Sequence, residues 1–553
     1  MNYNLRNGKK QKTSHLNWDN MVSASAIRNY MLNDPCIDYY KMYITKEKLD
    51  LHTEYILNNG CMFEKQIIDN ISQKHNIIKV GEKYDANNID KYNETIELMK
   101  IGVPIIYQGV LHNYTDNTYG MPDLMVRSDY INKLMGYHVI SHTEANLGSS
   151  KLNVNWHYKI IDIKGSIIPT KSLKNIVTNN SMMPYIGQLY IYTRDLNNIL
   201  GTNMNSNYIL GRKYTNVSMN KLGLVLFDNN ISTKVKNACD WIRDLRKNGN
   251  NWNLLPVPSR VELYPNMKNH DNTYVNIKKK YAEMYKEITS VWNCSYEART
   301  IAHSKNILSY MDPKCTSLAM GFKPSKTSET IDKILDVNRQ TDDIMIPNKI
   351  TFDRENWDTN DMEVYMDYET VMVNNINYIF MIGIGYHINN KFYYKEFVMK
   401  ELNDMEELNT FMEFHSYVLN LAKTVNKEKI RLFHWSCAEP CLYTKFKIKH
   451  KLNNMYEMNM CFYDLSKVFI NNIVIKGALS YSLKSIARAL YNAGYIKTIW
   501  PTDSTCMDGL NALILAINYY NNNDSVIMKD IIRYNEVDCK TLSEIHILIK
   551  SLK

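Results

Sequence analysis

Apolar residues recur at helical spacing through Phe63, Ile67, Ile68 and Ile71, which predicts an amphipathic helix carrying Glu64 beside its buried stripe. Ahead of it, Ser23-Ala-Ser25-Ala-Ile27-Arg-Asn-Tyr30 opens another helical stretch, with Ser23 or Ser25 as the cap. The pattern then turns extended. Pro104–Leu111 and Met121–Val126 read as two strands of a hairpin, separated by the turn formers Asn113, Asp116 and Asn117, and Asp123 lies early on the second strand. His157–Ile163 is a third strand. Side chains two apart on a strand share a face, so Asp162 and Lys164 point to the same side. Gln188 and Tyr192 stand one helical turn apart and flank the same cleft.

Leu254-Leu-Pro-Val-Pro-Ser marks an exit from this first domain, its two prolines stiffening the chain. Residues 270–322 are helical in pattern, including Tyr281–Trp292 and Glu297–Tyr310, and Lys323–Pro347 is polar enough to predict a linker. Beyond it, Met362–Tyr368, Tyr378–His387 and Phe392–Met399 read as three strands of an antiparallel meander, with a tight turn at Asn389-Asn390. A helix over 405–423, a strand over Ile430–Phe433 and a helix over 438–449 predict a mixed sheet with crossovers. Asp367 and Glu369 share one strand face, and Tyr534 and Asp538 share a face near the start of the last helix. The expected organisation is a basic flexible tail (1–20), a first α/β domain (21–255), a helical connector and linker (256–350) and a second α/β domain (351–553).

Composition adds bounds. At 553 residues, with 45% hydrophobic and 22% charged content, the chain is long enough for two or three domains with real cores. No apolar run approaches the roughly 20 residues of a membrane span, so no membrane partner is expected. Met1–His15 carries Lys9, Lys10 and Lys12 and has no apolar stretch of the kind a secretory signal needs. A net charge of +9 suits a partner with phosphates without demanding one. Ten cysteines, scattered from Cys36 to Cys539, form no extracellular framework and point to a reducing, intracellular compartment.

Against that basic background, each half gathers acidic groups of the kind that hold hard dications for phosphodiester cleavage. The order helix-Glu, hairpin-Asp, strand Asp-x-Lys, helix Gln-x-x-x-Tyr over residues 21–200 resembles the PD-(D/E)XK nucleases, in particular their RecB-like and Cas4-like branch. The resemblance implies a restriction-endonuclease-like fold and metal ligands at Glu64, Asp123 and Asp162. It also implies a catalytic Lys164, with Gln188 and Tyr192 supporting. Many Cas4-like members hold an iron–sulfur cluster on one early cysteine and three later, closely spaced ones. Cys36 matches the early ligand, but Cys239 and Cys294 are far apart, so no cluster is expected.

Residues 351–553 resemble the RNase H-like exonucleases called DEDDy. Asp367 and Glu369 match their first motif, and Tyr534 and Asp538 their third. The second motif usually ends in Asp. Here His434-Trp-Ser-Cys-Ala-Glu439 puts Glu439 at the acidic position, where an extra methylene moves the carboxylate. Asp464, in Tyr-Asp-Leu, matches a strand position outside the metal shell. This resemblance implies two-metal hydrolysis with Mg²⁺ or Mn²⁺, and Tyr534 holding the water.

The first expectation is a metal-dependent DNA nuclease, exonucleolytic, with its main site in the first half. The alternatives are a 3′–5′ DNA or RNA exonuclease run by the second half, and a non-catalytic nucleic-acid-binding scaffold. No Gly-x-x-x-x-Gly-Lys-Ser/Thr signature occurs, so unwinding would need a separate helicase. Toroidal or dimeric relatives make a homo-oligomer the expected state. Abundant Asn, Ile, Lys and Tyr are what an AT-rich genome produces. Together with the domain pairing they resemble the Cas4-like nucleases of giant viruses, which would place the protein in host cytoplasm or viral factory.

Overall fold

The computed structural model describes residues 18–552 except 45–50, 172–174, 180, 216–221, 271–272, 341–343, 348, 374–375, 453–458, 502–503, 505 and 507. The basic tail expected over residues 1–20 therefore lies outside the described residues, apart from Trp18–Asn20. The chain divides into two units. One comprises residues 1–48, 56–265 and 271–275, and the other 49–55, 266–270 and 276–553.

In the first unit, alternating apolar strands build a six-stranded mixed sheet. Its members are β2 (Ile78–Lys79), β3 (Ile105–Tyr107), β6 (Leu124–Arg127), β7 (Tyr158–Ile168), β8 (Ser206–Tyr214) and β9 (Gly223–Leu226), in the order β2-β3-β6-β7-β8-β9. The expected hairpin forms, since Ile105 pairs with Val126 and Tyr107 with Leu124 in antiparallel register. Its tip is a separate hairpin, β4 (Leu111–Asn113) and β5 (Thr118–Gly120), which joins β1 (Val22–Ser23) in a three-stranded sheet. That pairing corrects the helical start expected at Ser23. Val22 and Ser23 are held extended beside Thr118 and Tyr119. The short helix Arg28–Met31 has Ile27 at its N-cap and no side-chain capping bond, so neither serine caps it. Glu64 does lie on a helix, α1 (Leu51–Ser72), whose Phe63, Ile67, Ile68 and Ile71 pack on the sheet core. Helices α2 (Met183–Leu200) and α3 (Asn229–Asn248) also belong to this unit.

After the short strand β10 (Met345–Ile346), the second unit is organised around five strands: β11 (Met362–Val373), β12 (Ile376–Ile388), β13 (Lys391–Val398), β14 (Ile430–His434) and β15 (Met460–Asp464). Their order is β13-β12-β11-β14-β15. The first three form the expected antiparallel meander, and β14 and β15 add in parallel beside β11. Parallel pairs need crossovers. The crossovers here include α6 (Asp404–Thr424) and α7 (Ala438–His450). After α9 (Gly509–Asn522), the last helix, α10 (Ser525–Ser551), packs on β11, β12 and β13. Tyr534 lies in its third turn rather than at its start, because the helix begins earlier than the apolar pattern implied.

Three further differences fall in the connector, the first being that the helix expected over Tyr281–Trp292 runs over Val275–Tyr285. The helix expected over Glu297–Tyr310 runs as α4 (Tyr296–Ser304) and stops there. Lys323–Pro347, polar enough to predict a linker, contains α5 (Lys326–Arg339). Ser325 caps α5 in a reciprocal bond with Ser328, and Ile331, Ile334, Leu335 and Val337 are buried with Phe469, Val474 and Ile475. Three carbon-rich side chains at i, i+3 and i+4 outweigh the polar majority once a partner surface covers them.

Candidate metal centres

The second unit presents the tighter constellation. Asp367 and Glu369 project from one face of β11, and Asp538 comes from α10 where that helix crosses the sheet. One oxygen from each carboxylate lies within 4.8 Å of the others. Among the described residues, these three are the group of acidic, histidine or cysteine side chains gathered closely enough to hold an ion. The electrostatics agree. Burial, then Glu369 and Asp538, raise Asp367 well above the usual carboxylate range. Burial and Asp538 push Glu369 up to about 8, and burial brings Asp538 to about 7 against the opposing charge of Lys484. Three partly desolvated carboxylates resist ionising together, and a dication removes that resistance. All-oxygen ligation suits Mg²⁺ or Mn²⁺, so the residues fit the metal that the motifs imply.

Tyr534 stands one turn before Asp538 and is 7% exposed. Burial first, then Asp538, Glu369 and Asp367, drive its phenol far above the ordinary tyrosine range, so it stays protonated. The fourth expected ligand behaves differently. Glu439 is buried in the first turn of α7, with Oε2 3.3 Å from Nδ1 of His434. It is near enough to raise Asp367 and Asp538, yet it lies outside the three-carboxylate group. Its carboxylate stands beside that group, next to His434. Asp464 is outside the shell as expected, accepting bonds from the backbone N–H of Ser436 (2.8 Å) and from the Ser466 hydroxyl (2.6 Å).

The profile of the RNase_H superfamily matches residues 364–549. No curated protein matches the chain. The matched span covers β11 to α10, and so contains Asp367, Glu369, Glu439, Tyr534 and Asp538.

Within this RNase H-like domain, sequence reasoning missed Asn535. Its Nδ2 donates to Oδ2 of Asp367 (2.7 Å) and to Oε1 of Glu369 (3.4 Å), and its Oδ1 accepts from the Tyr394 hydroxyl (3.0 Å). A single amide thus spans two of the three carboxylates. Gly383, the strand partner of Asp367, makes room for it, since a Cβ there would overlap Oδ1 of Asn535. The available signal was an amide beside the motif tyrosine and a glycine in the middle of a buried strand. Lys484, from helix α8 (Leu483–Asn492), was also missed and contributes a cation beside Tyr534.

In the first unit, all six expected residues lie in one neighbourhood. Lys164 Nζ is 2.7 Å from Oδ2 of Asp162 on the same face of β7, as the spacing required. It also donates to Oε1 of Gln188 (3.5 Å), whose Nε2 donates to the Tyr192 hydroxyl (2.7 Å). Asp123, just before β6, accepts from the backbone N–H of Ile163 (2.6 Å). Burial, then Asp162, raise Asp123 well above its ordinary value, with Glu64 adding and Lys164 opposing. Burial alone would lower Lys164, but Asp162 and Asp123 outweigh it and keep the ammonium charged. In the same neighbourhood, Oε1 of Glu64 accepts from the Tyr107 hydroxyl (2.9 Å) and from Nε2 of Gln108 (3.3 Å). Glu64, Asp123 and Asp162 do not form a three-carboxylate group of the second unit's kind. Two glycines permit the local approach. A Cβ on Gly165 would sit 3.1 Å from Cα of Gly60 on α1, and one on Gly120 would overlap the Tyr192 ring.

Among the described residues, no helix is long and apolar enough to cross a membrane.

Proposed function

We propose that this chain is a metal-dependent nuclease that hydrolyses phosphodiester bonds of DNA from an end, using the Asp367–Glu369–Asp538 centre. The observation that carries the reading is the convergence of three acidic oxygens within 4.8 Å from two different elements. Mg²⁺ or Mn²⁺ held there would supply Lewis-acid activation of water and phosphate. Asp367, Glu369 and Asp538 are the ligands, and Asn535 orients the first two. Tyr534, kept protonated, positions the attacking water through its hydroxyl. Glu439 and His434 border the same pocket of charge.

A second reading is favoured by the contact of Lys164 with Asp162 and by the like-charge coupling of Asp123 with Asp162 and Glu64. In it the first unit is a PD-(D/E)XK-like centre. Glu64, Asp123 and Asp162 hold the cation, Lys164 offsets charge in the transition state, and Gln188 and Tyr192 hold Lys164 in place. Its presence is what favours DNA over RNA as substrate. A viral setting, a separate helicase and homo-oligomerisation belong to the same proposal.

End-labelled single-stranded DNA, duplex DNA and RNA, with Mg²⁺ or Mn²⁺, separate the readings. Asp367→Ala is expected to cut end-directed release by more than about 100-fold, beyond the usual reach of an outer-shell change. If Asp367→Ala leaves digestion intact while Asp162→Ala abolishes it, the first unit's centre carries the activity. Absence of cleavage of every substrate by the unaltered chain would leave a nucleic-acid-binding scaffold.

A further inference from the structure

Helix α8 supplies none of the acidic motifs, yet it brings a charge to the second unit's centre. Ser482 caps it, accepting from the backbone N–H of Ser485 (3.2 Å). This fixes Lys484 in its first turn. The Lys484 ammonium lies 4.7 Å from the ring centroid of Tyr534 and 5.4 Å from that of Trp500. Two aromatic faces therefore hold the cation in cation–π geometry, and one of them belongs to the tyrosine a turn away from Asp538. Glu369, Asp538 and Tyr534 are buried, whereas Lys484 is only partly so.

A lysine in this place is unfavourable for holding a dication, because like charges repel across a poorly screened gap. Neutralising the carboxylates is one use for it, but that use ends when metal binds. The species that gains from metal and ammonium together is a phosphate carrying negative charge into the same site. That charge grows on the non-bridging oxygens as a fifth oxygen joins phosphorus.

We propose that Lys484 is a catalytic residue of the C-terminal centre, contacting a non-bridging oxygen of the scissile phosphate. The inference rests on the nuclease reading of that centre. In the step it assists, the water oxygen forms a bond to phosphorus as the P–O3′ bond breaks. The water proton leaves to solvent, the O3′ leaving group is protonated from solvent, and Lys484 keeps all its protons. Tyr534 and Trp500 place the ammonium beside the ring that stands one turn from Asp538.

The test uses the full chain carrying Asp162→Ala, which silences the first centre, with Lys484→Gln and Lys484→Arg added separately. Mn²⁺ affinity is measured by titration calorimetry, and turnover on a 5′-labelled single-stranded oligonucleotide at saturating Mn²⁺. Lys484→Gln is expected to bind Mn²⁺ as tightly as the parent or more so, while turnover falls about 100-fold, the scale of losing one transition-state donor. Lys484→Arg should recover much of it. Unchanged turnover overturns the proposal, and so does a loss that additional metal fully restores, which would make Lys484 a support for the metal site. If the Asp162→Ala parent itself cleaves nothing, the nuclease reading of this centre fails separately. The same variants are then compared for oligonucleotide binding in Ca²⁺. Binding weakened about tenfold by Lys484→Gln, with a shallower salt dependence, keeps the phosphate contact; equal binding removes it.

Discussion

Asn535 shows how much of the second centre depends on one neutral side chain. Its amide bridges Asp367 and Glu369, and Gly383 is the strand position that leaves it space. Asn535→Ala should weaken Mn²⁺ binding by roughly 10- to 100-fold, the range for losing an outer-shell partner. Gly383→Ala should do the same by displacing the amide. Because both act through one contact, the double variant should fall short of the sum in calorimetric titrations. A second prediction concerns protons. Burial and neighbouring acids raise Glu369 to about 8 and burial raises Asp538 to about 7, whereas both groups sit near 4 in an unfolded chain. Between about pH 4 and 8 the folded, metal-free state therefore binds more protons than the unfolded one. The contribution of these two groups to stability is greatest below about pH 4 and is lost as pH rises through about 8. Metal favours the ionised carboxylates, so the Mn²⁺-induced rise in Tm should be larger at pH 8 than at about pH 5.5. An equal rise at both would argue against these carboxylates as the ligands. At this scale, the Asp367/Glu369 and Tyr534/Asp538 spacings were legible because each pair is set by the period of a single element. Asn535 and Lys484 were not, because their importance comes from what lies across from them.

At the scale of elements, α5 is the clearest departure from expectation. Its sequence, Lys326–Arg339, is mostly polar, and its apolar residues Ile331, Ile334, Leu335 and Val337 turn inward. The stripe and the Ser325 cap were both present in the sequence, but a helix of this length is marginal without a surface to bury against. That surface comes from residues more than a hundred positions later, around Phe469 and Val474. Leu335→Ala should cost about 2–5 kcal/mol of unfolding free energy in urea titrations, and Ser325→Ala about 1 kcal/mol. If Leu335→Ala is silent, the segment is a linker after all. The β1 strand makes the same point in reverse. Ser23 and Ser25 look like caps, but backbone pairing with Thr118 and Tyr119 takes that stretch first.

At the scale of the whole molecule, two separate acidic neighbourhoods lie in two units of one chain. Disabling one should leave the other's metal response intact. Saturating Mn²⁺ stabilises whatever binds it by RT ln(1 + [metal]/Kd), about 2.7 kcal/mol at one hundred times Kd. Asp538→Ala should therefore remove the metal-dependent shift of the second unit's unfolding transition, as followed by scanning calorimetry. Any shift that persists and then disappears with Asp162→Ala belongs to the first unit.

By itself the sequence determined the strands and helices that carry the acidic residues, the face each residue occupies, and the meander that opens the second sheet. These depend on local periodicity, which a few consecutive residues express. The tertiary structure alone decided which carboxylates converge. It drew Asp538 to Asp367 and Glu369 because α10 packs across β11 and β12, turned Glu439 toward His434, and occupied Glu64 with Tyr107 and Gln108. A metal centre is a matter of a few ångströms between residues far apart in the chain, and packing sets those distances.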